Sequence, residues 1–475
     1  MAGVKGSDGQ VGGFVQVIIS NEIFIKDPTP DLVKWTRDNL NITNPEYSKK
    51  MRMGLYVGKT PPIISLYRVD GNTIILPCGT GKNIRSYLPA DTYFVQDLAD
   101  NGTIEYPGVV PLFDYQHPAV DAMIKAGCGI LQSPCGSGKT QMGISLAAKL
   151  QRKTLWVTHT QDLLKQSYDR AIQYFPENIM GTITAGKVRI GSHMTFATVQ
   201  TLIKLNLEHY KYTWDTVIVD ECHRLAGSPT SVTMFYKVMC SLAARYKYGL
   251  SATVHRSDGL IKSTFSIIGD VQYRVPDESV AEKTMKVKVY RRNTGIETSR
   301  ACLDTDGTMV YMKLIQYLVD DFDRNSLIVN DLISSKNHSC LILSDRIEHL
   351  KTLKNMLPEG CKELAVMIDG KMVSKTGKQQ RAKAIEDMRS GKKRYLFASY
   401  SLAKEGLDIP RLDRLFLTTP KKDYAVVTQS IGRIARTYDG KQDAVCYDYV
   451  DAIEFCENQF KKRKTSYKKA GCEFV

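Results

Sequence analysis

Ser133-Pro134-Cys135-Gly136-Ser137-Gly138-Lys139-Thr140 decides the reading of this chain. An apolar run, Gly129–Gln132, stands before it, and a helical pattern begins at Gln141 after it. A glycine-rich turn between a buried strand and a helix points successive backbone N–H groups, and the positive end of the helix, at a phosphate. In such a loop residues 133 to 138 form the cradle and Lys139 reaches the β- and γ-phosphates. The Thr140 hydroxyl then ligates Mg2+. Ser133 stands where the general pattern has glycine. By itself the loop says only that a nucleotide binds.

Three later segments add to it. Val217-Ile218-Val219 runs into Asp220-Glu221-Cys222-His223, which puts two carboxylates at the C-terminal end of a buried strand, where open α/β sheets place their ligands. Asp220 is suited to hold Mg2+ through its water shell, and Glu221 to polarise an attacking water. Ser251-Ala252-Thr253 ends another apolar run, and Gln429-Ser430-Ile431-Gly432-Arg433-Ile434-Ala435-Arg436 follows much later. Arg433 and Arg436 are three apart, so on a helix they share a face.

The pattern around these motifs alternates short apolar runs with longer amphipathic ones, as in parallel sheets with crossover helices. Strands are expected at Gly129–Gln132, Thr154–His159, Met194–Thr198, Thr216–Asp220 and Tyr248–Ser251. A second series lies at Cys340–Ser344, Leu364–Ile368, Arg394–Ala398, Leu415–Thr418 and Ala444–Tyr447. Only the first series carries a phosphate loop. A charged, weakly periodic stretch near Arg274–Thr284 reads as the linker. Before the first series, Phe14–Ile19 and Glu22–Ile25 flank a Ser20-Asn21 turn and predict a hairpin. A helix over Asp31–Leu40 and strands at Ile63–Tyr67 and Thr73–Leu76 complete a small α+β domain. The predicted division is a flexible arm (1–13), the N-terminal domain (14–105), lobe 1 (106–275), lobe 2 (276–455) and a basic tail (456–475). Within the N-terminal domain Pro77-Cys78-Gly79-Thr80-Gly81-Lys82-Asn83 nearly copies the phosphate loop. It ends in Asn83, which lacks the metal-binding hydroxyl, and Leu88-Pro89 follows too soon for a long helix. It reads as a loop of coincidental composition.

Composition sets the partners. The formal net charge is +15, which favours a polyanion through counterion release. The run Lys461-Lys462-Arg463-Lys464 fits either a phosphate grip or a solvated tail. No apolar run approaches the roughly 18 residues that span a bilayer, and no basic-then-apolar signal opens the chain. Eleven cysteines lie scattered without a C-x-x-C pair, which argues against a zinc site or disulfide framework and for a reducing compartment. The expectation is a cytoplasmic protein without a membrane partner.

The four motifs in this order resemble those of the superfamily 2 helicases over about residues 110–455. Asp220–His223, the run Gly249–Thr253 followed by Arg256-Ser257-Asp258-Gly259, and Glu405–Pro410 are similar to the branch that includes XPB, RecG-like and phage UvsW-type enzymes. Asn44–Tyr47 and Arg52–Gly54 resemble the N-terminal module of such phage helicases. The resemblance implies two tandem RecA-like parallel-sheet lobes with Mg-ATP between them. It makes Arg433 and Arg436 arginine fingers, Gln429 a nucleotide sensor, Asp408 a nucleotide contact and Gln116, in Leu112-Phe113-Asp114-Tyr115-Gln116, the reader of adenine. It assigns His223, Ser251 and Thr253 to coupling, and Thr158, His159, Thr198, Gln200 and Ser344 to nucleic-acid contact. DNA that is duplex, forked or branched is the implied track, contacted largely without regard to sequence by a monomer, with the N-terminal domain conferring the preference for branches. RNA is the alternative. Against it, the RNA-dedicated group usually has His-Arg before Ile-Gly-Arg, where Gln429-Ser430 stands here. A restriction motor is the other rival, and no P-D…E-x-K nuclease pattern is found. A nucleotide-switched module without hydrolysis would be expected to lack Glu221 or the arginines.

Overall fold

The computed structural model describes residues 15–475 apart from 135, 227–228, 255–258, 277–278, 280–283, 371, 373, 405–406, 408 and 422–423. The arm at 1–13, Cys135, Asp408 and Arg256–Asp258 therefore lie outside the described residues. The chain divides into two compact units. One comprises residues through Ser133 together with Lys139–Val275, and the other Pro134–Gly138 with Pro276–Val475. The boundary at Val275–Pro276 falls at the start of the expected linker.

The first unit opens with the expected hairpin: Gln16–Ile19 pairs antiparallel with Ile23–Lys26, Ile19 opposite Ile23. Their sheet runs Arg68–Asp70, Thr73–Leu76, Ile23–Lys26, Gln16–Ile19, Tyr93–Gln96, the last pair parallel. Val17, Ile23, Ile25 and Leu76 face inward, the period of two that a half-buried strand needs. Helix Pro30–Leu40 begins where Thr29 Oγ1 accepts the Leu32 N–H at 3.2 Å, with Pro30 at its first position.

This N-terminal sheet is not a detached module. Val232, Leu260 and Ile261, all from lobe 1, belong to the same buried cluster as Val17, Ile25, Leu32 and Leu76. Lys247, 4% exposed on a lobe 1 strand, donates Nζ to Met239 O at 3.0 Å and to Asn21 O at 3.1 Å. Glu22, 1% exposed, accepts the Tyr236 hydroxyl at 2.9 Å and pairs with Arg68. Burial raises the Glu22 carboxyl above its ordinary range, partly offset by Tyr236 and Arg68. Removing residues 14–105 would strip a buried lysine of a carbonyl and open part of the core of lobe 1, so the two fold together.

The near-copy of the phosphate loop is part of this joint. Cys78–Thr80 forms one 3-10 turn and Gly81–Ile84 one helical turn. A Cβ on Gly79 would lie 2.5 Å from Gly269 N and 2.6 Å from Phe265 O, so glycine stands there because the backbone of helix Ile261–Ile268 passes against it. The resemblance to a nucleotide loop is coincidental, as its missing hydroxyl implies.

Among the described residues the sheet of lobe 1 has eight strands. In spatial order they are Lys187–Arg189, Met180–Thr184, Met194–Thr198, Thr154–Thr158, Thr216–Val219, Tyr246–Ser251, Cys128–Gln132 and Val271–Arg274. All neighbours are parallel except the first pair. The expected five strands form its centre. Val271–Arg274, of which only Arg274 fell in the expected linker, is a strand whose Val271 and Tyr273 pair with Ile130 and Leu131 of the phosphate-loop strand.

Among the described residues lobe 2 holds seven parallel strands in the order Ala365–Met367, Tyr395–Ser399, Cys340–Ser344, Arg414–Leu417, Ala444–Ala452, Val287–Glu297 and Glu473–Phe474. The architecture is two tandem parallel-sheet α/β lobes, the first fused to an α+β N-terminal domain. The expected basic tail at 456–475 is corrected: Glu454–Lys469 is one helix, and Glu473–Phe474 completes the sheet. Arg463, from the basic run, is 2% exposed. It makes a two-pronged pair with Asp448 at 2.8 Å, and Tyr467 OH donates to the same carboxylate at 2.7 Å. The lysines around it face outward on the helix while the arginine is structural.

Gly79→Ala is expected to destabilise the chain by about 1–3 kcal/mol or more, since backbone rather than a flexible side chain must give way. Gly81→Ala, whose nearest neighbour is the Ile23 side chain at 3.4 Å, should stay within about 0.5 kcal/mol of wild type. Urea denaturation of both variants checks the pair, and equal stabilities would contradict the close approach.

Candidate active site

The site of lobe 1 is built at the C-terminal ends of the central strands. Ser133 N donates to Ser251 O at 2.9 Å, so the loop leaves the sheet pinned to the neighbouring strand. Gly136 and Gly138 have φ of +84° and +76°, a region glycine enters without the penalty a Cβ would bring. Helix Lys139–Leu150 follows at once. Gly143 lets that helix lie close on the sheet, where a Cβ would come within 2.6 Å of Leu250 Cδ1 and the Trp156 ring. Glycines in the left-handed region running straight into a helix start are the backbone arrangement that phosphate binding uses.

Asp220 and Glu221 stand where strand Thr216–Val219 ends. Asp220 Oδ1 accepts the Glu221 N–H at 2.9 Å and Oδ2 accepts the Ser167 hydroxyl at 3.2 Å. Glu221 has φ +48°, a left-handed conformation that costs a non-glycine residue about 1 kcal/mol or more. It brings Oε1 to 3.9 Å from Lys139 Nζ and Oε2 to 3.2 Å from His223 Nδ1. Two adjacent buried carboxylates cannot both ionise freely. For Glu221 burial works against charge, but Lys139 and His223 outweigh it and hold the carboxyl well below its ordinary value. Burial, then the Glu221 charge, push Asp220 up. A divalent cation beside Asp220 would answer that strain, and Thr140 with Asp220 are the residues suited to hold it.

His223, Ser251 and Thr253, the residues expected to couple, are joined by hydrogen bonds. His223 Nδ1 lies 3.0 Å from Ser251 Oγ, which donates to Thr253 O at 2.6 Å and accepts Thr253 N–H at 3.1 Å. With the hydroxyl proton committed to Thr253, the imidazole carries its hydrogen on Nδ1. Cys222, fully buried, sits against Gly249, where a Cβ would meet its Sγ at 2.7 Å. The cysteine is packing, not chemistry.

In lobe 2 the arginine motif departs from expectation. Helix Tyr424–Ile434 ends before Arg436, so Arg433 and Arg436 do not share a helical face. Arg436 instead bridges antiparallel to Thr284, and Met285 N donates to Ala435 O at 2.7 Å. Arg433 Nη1 donates to Leu407 O at 3.1 Å. Gln429 is 7% exposed, and its Oε1 has no hydrogen-bond partner among the described residues.

The chain is similar to known proteins over both lobes. Residues 110–256 match the family "Type III restriction enzyme, res subunit", and residues 324–438 match "Helicase conserved C-terminal domain". The chain belongs to the superfamily 2 helicases. A protein of Acanthamoeba polyphaga mimivirus named as an ATP-dependent RNA helicase is 27% identical over 84% of this chain and 75% of its own length. The DNA 3'-5' translocase XPB2 of Sulfurisphaera tokodaii is 26% identical over 70% of this chain and 80% of its own. Among solved structures, Saccharomyces cerevisiae Dbp5 bound to RNA and ADP BeF3 aligns over 77% of this chain and 94% of its own, at 15% identity and a TM-score of 0.54. That likeness is one of fold. The chain is an ATP-dependent helicase.

Several side chains expected to touch nucleic acid lie inside this helicase. Thr158 is 0% exposed and donates to Thr160 O at 3.0 Å. Thr198 is 3% exposed and bonds the Thr201 hydroxyl at 2.9 Å. Ser344 is 0% exposed and bonds His349 Nδ1 at 3.0 Å. Their hydroxyls shape the turns after each strand, which is the ordinary work of small polar residues there. Gln200 is exposed, with Nε2 on His159 O at 2.8 Å. His159 keeps both ring nitrogens buried without a hydrogen-bond partner among the described residues. Burial, then the Arg224 and His223 charges, lower its pKa to about 3, so the ring is neutral.

Gln116 also turns inward. It is 0% exposed, and its Oε1 accepts the Phe113 N–H at 2.9 Å, which holds the loop it was expected to read from. The surface of that loop is instead Phe113, 48% exposed and stacked on Tyr115 at 5.9 Å and 16°. An aromatic pair of this kind can cover a flat base.

Sequence reasoning missed Lys441. Its Nζ donates to Leu412 O at 2.7 Å and Arg436 O at 2.8 Å, and to Ile434 O at 2.5 Å, clasping the backbone that carries the arginines. A lone lysine after Asp439-Gly440 offers no signal until the turn is folded. Burial lowers its pKa to about 8, with Asp413 and Asp443 opposing and Arg436 and Arg414 assisting. An ammonium has three N–H groups for three carbonyls, and a neutral amine has two. The clasp is complete below about pH 8 and incomplete above it. Lys441→Met is expected to cost about 1–3 kcal/mol through the orphaned carbonyls, with amide exchange accelerating locally around residues 434–438. Unchanged exchange there would contradict the clasp.

Proposed function

We propose that this helicase is a DNA translocase that uses Mg-ATP hydrolysis to unwind or remodel branched or forked DNA. The observation that carries the reading is the placement of Glu221 beside Lys139 and His223, at the mouth of the glycine loop. Glu221, kept ionised, orients and polarises the water that attacks the γ-phosphate, and Lys139 steadies the phosphates. Mg2+, held by Thr140 and Asp220, would neutralise charge on the phosphate oxygens. Arg433 and Arg436 add positive charge where negative charge develops in the transition state, and Gln429, whose buried amide oxygen has no hydrogen-bond partner among the described residues, senses the nucleotide. Phe113 and Tyr115 cover the base.

DNA is favoured by the similarity to a protein named a DNA 3'-5' translocase, and a basic surface suits any polyanion. RNA is a second reading, because the mimivirus relative is named an RNA helicase. ATPase rates with single-stranded, duplex, forked and four-way DNA, and with matched RNA, separate the two. Stimulation by RNA alone would overturn the DNA assignment.

Lys139→Ala should abolish hydrolysis, and Glu221→Gln should bind ATP but not cleave it. Normal turnover in either folded variant removes that residue's role. Arg433→Ala is expected to lower turnover on the order of 10³-fold with little change in ATP affinity, since a finger acts on charge absent from the ground state. A matching loss of affinity at normal turnover would make Arg433 a ground-state binder.

A further inference from the structure

Residues 47–60 of the N-terminal domain, Tyr-Ser-Lys-Lys-Met-Arg-Met-Gly-Leu-Tyr-Val-Gly-Lys-Thr, carry four basic residues and no acidic one. They form a projection rising from the two-stranded ribbon Asn41–Thr43 and Ile63–Ser65. At its end four large apolar side chains face solvent: Tyr56 at 91%, Met53 at 60%, Met51 at 57% and Leu55 at 53% exposure. Scattered exposed apolar residues are ordinary. Four within six consecutive positions form a patch of the kind that marks an interaction site.

The projection is built, not slack. Asn44 begins helix Pro45–Arg52 by accepting the Glu46 N–H at 3.0 Å. The same side chain donates Nδ2 to Pro61 O at 2.8 Å, and Asn44 N donates to Pro62 O at 2.9 Å, closing the base. Lys50 Nζ reaches Thr60 Oγ1 at 2.7 Å and pairs with Glu46 at 3.0 Å, while Leu55 N returns to Lys50 O at 2.9 Å. Gly54 and Gly58 turn the chain at φ of +62° and +56°. The fold thus spends hydrogen bonds to hold apolar groups in water. Lys49, Arg52 and Lys59 are exposed around them, and none has an acidic partner among the described residues.

We infer that this projection is a nucleic-acid wedge, in which Tyr56 and its apolar neighbours stack against unpaired bases at a strand junction while Lys49, Arg52 and Lys59 hold the flanking phosphates. Aromatic and apolar side chains with interleaved cations are what base stacking and backbone neutralisation require together. A basic, apolar tip also suits an anionic membrane, but the projection belongs to the same folded unit as a helicase lobe whose track is a nucleic acid. The inference rests on the nucleic-acid reading above and deepens it, since it gives the N-terminal domain a means of gripping a branch.

The test uses the full chain. Affinity for a DNA fork bearing 2-aminopurine in its first unpaired positions is measured by anisotropy and by the base's own fluorescence, for wild type, Tyr56→Ala and Lys49→Ala/Lys59→Ala. Tyr56 is almost wholly exposed, so its removal leaves the fold intact. Tyr56→Ala is expected to bind the fork at least 5-fold more weakly, in line with the loss of one stacked base, and to lose the 2-aminopurine change. The double lysine variant should bind more weakly with a shallower salt dependence. Unchanged fork affinity and fluorescence in Tyr56→Ala would overturn the inference. So would Tyr56-dependent binding to phosphatidylserine vesicles with fork affinity unaltered, which would make the tip a membrane contact. Wild-type ATPase that no nucleic acid stimulates would sink the motor reading instead, independently of what the tip binds.

Discussion

Two carboxylates side by side at the end of a buried strand cannot both keep their charge unless cations stand against them. Asp220 and Glu221 occupy that position, and much of lobe 1 answers them. Lys139 can lie near Glu221 only because the glycine loop lets its helix begin there, and that helix approaches only because Gly143 has no side chain to hit Trp156. His223 supplies the second positive edge, and its tautomer is set by Ser251 on the adjacent strand. The strained backbone of Glu221 is the cost of turning that carboxylate toward the lysine.

The same problem recurs in the interior, solved by different means. Arg324 pairs with Asp451 at 2.8 Å with both side chains fully buried, and its Nη1 also reaches Thr418 O. Arg463 pairs with Asp448, and Lys247 gives its protons to carbonyls from two parts of the chain. Breaking such a pair leaves an uncompensated charge, which is far more damaging than never having had one. Each joint is therefore all-or-nothing. It fixes how the N-terminal sheet meets lobe 1 and how the last helix meets the sheet of lobe 2.

What the sequence made legible follows from what is local. Met194–Thr198 and Cys340–Ser344 were read to the residue, because an apolar run with a polar end is the whole signal for a buried parallel strand. Val287–Glu297 has no such run: its apolar residues are interleaved with Lys288, Arg291 and Arg292, and its place in the sheet comes from pairing with Ala444–Ala452, far away in the sequence. The arginine motif was found by its letters, but the helix break after Ile434 depends on Lys441 and Met285, which are invisible to a periodicity argument. Thr158, Thr198 and Ser344 sit at strand ends as expected and yet point inward. Position along a strand is readable from pattern, but which way the last hydroxyl turns is decided by the next bend.

The register of the central strands explains how the acid pair and the exposed turns are joined. Val157 lies opposite Val219 and Thr158 opposite Thr198, so one residue further on His159 falls between the segment carrying Glu221 and the one carrying Gln200. Its carbonyl is already held by Gln200, while the ring is neutral and its two buried nitrogens have no hydrogen-bond partner among the described residues. Three parallel strands in register thus bring the acid pair and the exposed Gln200 turn to the two sides of one residue.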